Sequence, residues 1–135
     1  MSKKVILILV FSIFFLNISG INLQSKKKAI ELVGKIELKK DFWGRRIFKG
    51  KVKNYSKNRI DFIRVDFEMY DKNNKLIISE GAYIDGIKFV FGDATESRSS
   101  LKPGATGPFD VYTSIPADSI AQFTYKINYK YFKYR

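Results

Sequence analysis

The sequence predicts an all-β fold, a single antiparallel immunoglobulin-like β-sandwich of about seven strands. Apolar and polar residues alternate along most of residues 29–135, which is the period-two pattern of half-buried strands. Gly, Pro, Asn and Asp separate the alternating runs, as expected for turns between strands. The content of 12 Phe and 8 Tyr also favours strands, where large flat side chains pack on a pleated surface.

The first two strands are expected on either side of a bend that contains the only tryptophan, Trp43. The first strand begins at Ile30, and Gly34 marks a candidate β-bulge within it. The second strand covers about residues 47–54 and turns Phe48 toward the core. The lysines on its other face, which we expect in solvent, are Lys49, Lys51 and Lys53.

The clearest strand signal is the segment IDFIRVDFEMYD at residues 60–71. Its apolar residues recur at every second position, whereas a helix needs spacings of three and four. A hairpin turn is expected at residues 71–75, because Asn tolerates the positive φ that such turns require. The residues of this strand that we expect in the core are Ile63, Val65, Phe67 and Met69.

Beyond the return strand, which continues toward Tyr83, the sequence predicts three further strands and one loop. The strands are expected at residues 87–91, at residues 107–113 and along the C-terminal aromatic segment. Residues 92–100, GDATESRSS, lack the lysine and the spacing of a phosphate-binding loop. We therefore expect that segment to be a flexible connection.

The N-terminus has the layout of a secretory signal peptide. Lys3 and Lys4 precede an apolar run at residues 5–16, and the small residues Ser19 and Gly20 follow that run. The predicted organisation is a signal peptide at residues 1–20, a basic linker at residues 21–28 and one sandwich domain at residues 29–135.

Export from a bacterial cell, to the periplasm or to the outside, follows from this interpretation of the N-terminus. The alternative is an uncleaved membrane anchor, but the apolar run of 12 residues is shorter than the ~20 that a spanning helix needs. The chain has no Cys, so it cannot be a lipoprotein that carries its lipid on a cysteine.

The absence of both Cys and His excludes several classes of site. Zinc centres are built largely from these residues, and Cys–His and Ser–His nucleophiles require them. No disulfide can form, so core packing must stabilise the fold without one. The sequence predicts no enzyme activity, no metal site and no cofactor.

The segment GKVKNYSKNRIDFIRVDFEMYDKNNKLI resembles the bacterial FxLYD domain, a family named for a Phe-x-Leu-Tyr-Asp signature in a strand. The signature corresponds to residues 67–71, with Met69 where the family usually has Leu, a replacement that preserves volume. The order and spacing of further short motifs extend the resemblance over residues 46–132. The resemblance implies an exported or envelope-attached β-sandwich and brings no catalytic residues.

A formal net charge of +12 at pH 7 favours polyanionic partners. The C-terminal segment interleaves Tyr and Phe with cations, as surfaces that bind sugar polymers or single-stranded nucleic acid do. A final strand with its aromatic residues in the core explains the same pattern up to Tyr131, so both interpretations stay open. The candidate anion-binding surface comprises Lys49, Lys51, Lys53, Lys126, Lys130, Lys133 and Arg135.

Two pairs of residues have a chemical interpretation and a structural one. Asp66 and Glu68 share one strand face, and paired carboxylates can hydrolyse glycosides. We expect instead a ladder in which the lysines of the second strand face these acids across an antiparallel pair. Asp71 and Asn73 resemble the start of a calcium loop, but the later Gly and acid are missing, so we expect a hairpin turn.

These expectations lead to a functional hypothesis. We expect a non-enzymatic cell-envelope module that binds or scaffolds through a basic surface. The expected partners are an anionic envelope polymer, an anionic lipid surface or an acidic protein, and export disfavours nucleic acid. The alternative hypothesis is a carboxylate-dependent hydrolase that acts on envelope glycans.

Overall fold

The computed structural model describes residues 28–131, and for Tyr131 it describes only the backbone. The predicted signal peptide, most of the predicted linker, and the candidate residues Lys133 and Arg135 lie outside the described residues. The described elements are β1 (Ile30–Lys40), β2 (Arg45–Asn54), β3 (Ile60–Tyr70), β4 (Leu76–Tyr83), β5 (Ile87–Val90), β6 (Glu96–Ser100), β7 (Thr106–Pro116), a 3-10 turn (Ala117–Ser119) and β8 (Gln122–Tyr131).

The strands form two antiparallel sheets of three strands each, which pack face to face. The first sheet has the order β1-β2-β7 and the second has the order β4-β3-β8, while β5 and β6 form a separate hairpin beside the start of β3. The chain passes to the second sheet between β2 and β3, returns to the first sheet at β7 after the β5–β6 hairpin, and passes to the second sheet again between β7 and β8. The predicted fold class is confirmed, with eight strands in the described residues instead of about seven.

The core lies between the sheets and consists of side chains from alternate strand residues. Phe48 of the first sheet stacks on Phe67 of the second, with ring centroids 4.1 Å apart. Phe123 packs against both rings of this pair, and Phe109 packs against Phe67. The predicted core residues of β3 are all fully buried, which confirms the period-two assignment: Ile63, Val65, Phe67 and Met69.

Three residues with positive φ mark where the strands bend or turn. Gly34 has φ +74° at a register shift between β1 and β2, which confirms the predicted bulge. Asn74 has φ 62° in the β3–β4 turn, as the hairpin prediction requires. Phe62 has φ 53° where the β3–β8 register shifts, a conformation that bulky residues rarely adopt.

The prediction of a flexible connection at residues 92–100 is wrong, because the second half of this segment is strand β6. Its serines 97, 99 and 100 are buried although the strand contains no large apolar residue. Hydrogen bonds take the place of apolar packing there. The Ser97 hydroxyl accepts from the backbone N–H of Phe62 at 3.1 Å, and the Ser100 hydroxyl donates to Asp61 at 2.6 Å.

Both ends of the described chain lie at the same end of the sandwich, which we call the terminal end. Ile30 at the start of β1 pairs with Asn54 at the end of β2. Tyr131 at the end of β8 pairs with Ile60 at the start of β3. The β1–β2 turn at residues 41–44 lies at the opposite end, which we call the turn end.

Candidate functional site

The candidate anion-binding lysines lie on opposite outer faces of the sandwich. β2 directs Phe48 into the core, so its lysines point outward from the first sheet. β8 directs Phe123 inward, so its lysines point outward from the second sheet. The structure therefore separates the described candidates into Lys49, Lys51 and Lys53 on one face and Lys126 and Lys130 on the other.

The predicted ladder between the lysines of β2 and the acids of β3 is wrong, because the two strands belong to different sheets. Acids of the first sheet flank these lysines instead. Lys49 lies opposite Glu37 of β1 and forms an ion pair with Asp110 of β7 at 3.3 Å. Lys53 lies opposite Glu31. These acids offset part of the positive charge of this face, most directly at Lys49.

A different group of cations gathers at the terminal end. Lys28 precedes β1, Lys53 lies near the end of β2, and Lys57 belongs to the β2–β3 turn. Lys102 lies in the turn before β7, and Lys130 lies near the end of β8. Within residues 28–131, none of these five lysines forms an ion pair. We call this group the basic end.

Asn54 is buried at the centre of the terminal end and ties its loops together. Its Nδ2 donates to the carbonyl oxygens of Asn58 at 2.8 Å and Leu101 at 2.9 Å. Its Oδ1 accepts from the backbone N–H and the hydroxyl of Ser56, at 2.9 Å and 2.7 Å. The β2–β3 turn and the segment before β7 are thus held side by side, so Lys57 and Lys102 lie at the same end of the sandwich.

A buried ion pair anchors the start of β3 beside this surface. Arg59 Nε donates to Asp61 Oδ1 at 2.8 Å, and the guanidinium carbon lies 3.2 Å from the ring centroid of Phe89 in β5. The Asp61 side chain is fully buried, and the Arg59 side chain is only 12% exposed. The Arg59 side chain therefore links β5 to β3 through its contacts with Phe89 and Asp61. Because it is nearly buried, its charge is not available to external anions.

An aromatic cleft of about 300 Å³ opens beside Lys130. Phe62 and Phe91 line it with stacked rings whose centroids are 5.8 Å apart, and Lys130 Nζ lies 5.2 Å from the Phe62 centroid. Asp93 also lines the cleft, and hydrogen bonds from the backbone N–H and then the side chain of Thr95 lower its pKa. The cleft offers apolar faces, one cation and one ionised carboxylate, a combination suited to a flat ligand with charged groups.

Phe62 also lines a second cleft of about 230 Å³, together with Tyr83 and Arg98. Its strained backbone is fixed by the hydrogen bond to Ser97 and by the stacking on Phe91. Strain of this kind persists only where the surroundings impose it, and it is frequent at binding sites. Phe62 lines both of these clefts.

The two hydrolase candidates, Asp66 and Glu68, engage neighbours on the outer face of the second sheet. Asp66 accepts hydrogen bonds from Arg64 Nε at 2.8 Å and from Asn128 Nδ2 at 2.7 Å. Glu68 accepts from the Tyr70 hydroxyl at 2.8 Å, and this bond raises the pKa of Tyr70. Neither carboxylate lines the two clefts described above, so neither is placed to act on a ligand bound in those clefts.

Gly81 faces Asp66 across the β3–β4 pair, and its replacement by alanine tests this packing. A Cβ at position 81 would collide with Asp66 Oδ1 and lie 2.6 Å from the backbone oxygen of Val65. We expect Gly81→Ala to lower the free energy of unfolding by about 1–3 kcal/mol in urea denaturation. Gly92→Ala is the matched control, because no atom lies within 4 Å of a Cβ there. Equal losses in the two variants would contradict the steric explanation.

The residues described include no group of three or more acids that could hold a metal ion. Asp71, the first residue of the calcium-loop alternative, closes the β3–β4 turn instead. Its Oδ1 accepts from the backbone N–H groups of Asn73 at 2.8 Å and Lys75 at 3.0 Å. The hairpin turn predicted at residues 71–75 is therefore confirmed.

The sequence matches no protein-family model and no curated protein. The resemblance to the FxLYD domain consequently stays a prediction. In the described part of the chain, no helix has the length and apolar character needed to cross a membrane.

Sequence reasoning missed the parts of the site that different segments build together. Lys57 and Lys102 were recognisable as turn residues, but no local pattern indicates that their turns lie at the same end. Phe62 follows the alternation of an outward-facing strand residue, and its positive φ has no sequence signal. Only the sheet order, which places β3 between β4 and β8, brings it beside Lys130.

Proposed function

We propose that the protein is an exported, non-enzymatic module of the bacterial cell envelope that binds an anionic envelope polymer at its basic end. The proposal depends on one observation: five lysines that form no ion pair within residues 28–131 lie at the same end of the strands. They are Lys28, Lys53, Lys57, Lys102 and Lys130.

The chemistry of lysine supports a polymer more than a compact ligand. Each ammonium group is a point charge on a flexible stem and lacks the fixed fork with which arginine grips a single phosphate or carboxylate. Several separated lysines on a rigid surface therefore suit charges repeated along a chain. Each contact is weak and screened by salt, so affinity comes from their number.

The cleft beside Lys130 supports a saccharide as the repeating unit. Phe62 and Phe91 present aromatic faces next to that cation, so a charged sugar ring can meet apolar and ionic groups together. The export part of the proposal depends on the N-terminal apolar segment. The non-enzymatic part is supported by the hydrogen bonds that already engage Asp66 and Glu68.

The triple variant Lys57→Gln, Lys102→Gln, Lys130→Gln tests the basic end. We expect the unmodified protein to be retained on immobilised polygalacturonate and released by salt, and not to be retained on neutral dextran. The triple variant should elute at a clearly lower salt concentration, because three unpaired cations of the binding surface are removed.

The control removes the same number of charges elsewhere, in the variant Lys35→Gln, Lys72→Gln, Lys75→Gln. These lysines are exposed and lie in the middle of β1 and in the β3–β4 turn, away from the terminal end. The control should elute close to the unmodified protein. If both triple variants elute together, retention follows net charge alone and the assignment to the basic end is wrong.

A further inference from the structure

The β1–β2 turn presents two adjacent aromatic side chains to solvent at the turn end. Phe42 is 93% exposed and Trp43 is 73% exposed, more than any other large hydrophobic side chain in the described residues. Their rings form an edge-to-face pair with centroids 5.6 Å apart. The guanidinium carbon of Arg45 lies 4.7 Å from the Trp43 ring centroid. Exposed aromatic pairs of this kind usually mark an interaction surface.

The turn that carries these rings is held by Asp41. Its Oδ1 accepts from the backbone N–H groups of Trp43 at 2.9 Å and Arg45 at 2.8 Å, and its Oδ2 accepts from Arg45 Nε at 2.7 Å. Desolvation alone would raise the pKa of Asp41, but the hydrogen bonds from Arg45 and Trp43 outweigh it and lower the pKa. Gly44 completes the turn with φ +80°. The exposure of the rings therefore belongs to an ordered turn.

Cations surround the aromatic pair. Residues 39–46 contain four basic side chains and a single carboxylate, that of Asp41, which accepts the hydrogen bonds that hold the turn. Lys39 contacts Glu37 and Lys40 contacts Asp118, each at 3.6 Å, in ion pairs whose side chains are all more than half exposed. Such exposed pairs are weak and exchange readily with other anions. The turn end thus combines apolar rings with available positive charge.

We propose that the turn end docks on an anionic lipid surface, with Phe42 and Trp43 in the interfacial layer of the bilayer. Aromatic side chains, Trp above all, prefer that layer because their rings are apolar at one end and polarisable or polar at the other. Lys39, Lys40 and Arg46 would then lie at the level of anionic headgroups, which attract such cations.

The size of the patch favours a lipid surface over a protein. Burial of both rings removes on the order of 300–500 Å² from solvent, whereas a stable protein interface buries about 800 Å² on each partner. Binding to a lipid surface has no such minimum, since it grows with buried apolar area and with charge. A second copy of the chain is disfavoured because it would bring the two sets of cations face to face.

This inference goes beyond the proposed function, because it concerns the opposite end of the sandwich and a different partner. The two sites point away from each other along the strands. A module with both could hold an anionic polymer at its terminal end while its turn end rests on a membrane.

Trp43 is the only tryptophan of the chain, so its fluorescence reports on the turn end alone. The full sequence is expressed, and the protein is purified in the form that the cell produces. We expect vesicles of phosphatidylglycerol and phosphatidylcholine to shift the emission to shorter wavelength, and brominated lipid to quench it. Vesicles of phosphatidylcholine alone should have little effect. The absence of a shift on anionic vesicles overturns the inference.

Variants that keep the reporter locate the contact. Phe42→Ser should weaken partition into anionic vesicles at least about tenfold, and Lys39→Gln with Lys40→Gln should weaken it and reduce its salt dependence. The control for apolar area is Val90→Ser, which removes a half-exposed side chain from β5. The control for charge is Lys72→Gln with Lys75→Gln, and both controls should bind as the unmodified protein does.

Two further outcomes would contradict lipid docking at the turn end and would have no bearing on the function proposed for the basic end. A blue shift of the Trp43 emission that grows with protein concentration and needs no vesicles would show that a second copy of the chain covers the turn. Co-sedimentation with vesicles without any change at Trp43 would place the lipid contact elsewhere. Retention of Phe42→Ser on polygalacturonate should be unchanged in every case, so the two proposals fail independently.

Discussion

Phe67→Ala is expected to lower the free energy of unfolding by about 3–5 kcal/mol, a large part of the stability of a domain of this size. The Phe67 ring is fully buried and contacts aromatic rings of both sheets. Its centroid lies 4.1 Å from that of Phe48, 5.8 Å from that of Phe123 and 6.1 Å from that of Phe109. Alanine leaves a cavity that these rings cannot fill together, because each is held by its own strand. Urea denaturation followed by far-UV circular dichroism measures the loss.

Two companion variants make this result interpretable. Phe67→Leu fills more of the space and should cost less than alanine, so it reports on packing even if the alanine variant does not fold. Phe42→Ala removes a ring of the same size that is 93% exposed, and it should change stability by no more than about 0.5 kcal/mol. Similar losses for Phe67→Ala and Phe42→Ala would contradict the assignment of Phe67 to the core.

The inward-facing residues were predictable because a strand has only two faces. In β3 the alternation assigns Val65 and Phe67 to the core, and both are fully buried. The same argument holds for Phe48 in β2 and for Phe109 and Val111 in β7. The period-two pattern depends only on which face of a strand is buried. It therefore identifies the inward residues even when the neighbouring strands are unknown.

Strand pairing was not predictable in the same way. β2 and β3 follow each other across a short turn, which favours a hairpin, yet that turn carries the chain from one sheet to the other. The interactions that decide this are distant in sequence: Asn54 Nδ2 bonds to the carbonyl oxygen of Leu101. The lysines of β2 therefore meet Glu37 and Asp110 and not the acids of β3.

The basic end and strand β6 share this dependence on distant contacts. Lys57 and Lys102 belong to turns that are far apart in the sequence and become neighbours only through Asn54. Ser97 and Ser100 are buried because Phe62 and Asp61 provide hydrogen-bond partners for them. A serine-rich segment without such partners would stay in solvent, so composition alone favoured a loop there.

Asp61→Ala is expected to destabilise the domain by about 3–5 kcal/mol, because it removes one member of a buried ion pair. The change leaves the Arg59 guanidinium against Phe89 without its carboxylate, and it leaves the Ser100 hydroxyl with only the Ser97 hydroxyl as acceptor. Asp118→Ala is the control, because that carboxylate is 94% exposed and its loss should leave stability nearly unchanged. Chemical denaturation measures both.

A double-mutant cycle separates the ion pair from the rest of the network. If Arg59 and Asp61 stabilise the fold chiefly through each other, the double alanine variant should lose less stability than the two single variants together, by at least about 1 kcal/mol. Additive losses would show that each residue acts through other partners.

Because the pair holds the β5–β6 hairpin against β3, faster amide hydrogen exchange should appear in Asp61→Ala at residues 87–100 and not in β1 and β2. Asp61→Ala should then release polygalacturonate at lower salt although every lysine of the basic end is intact, since Phe91 would no longer be fixed beside Lys130.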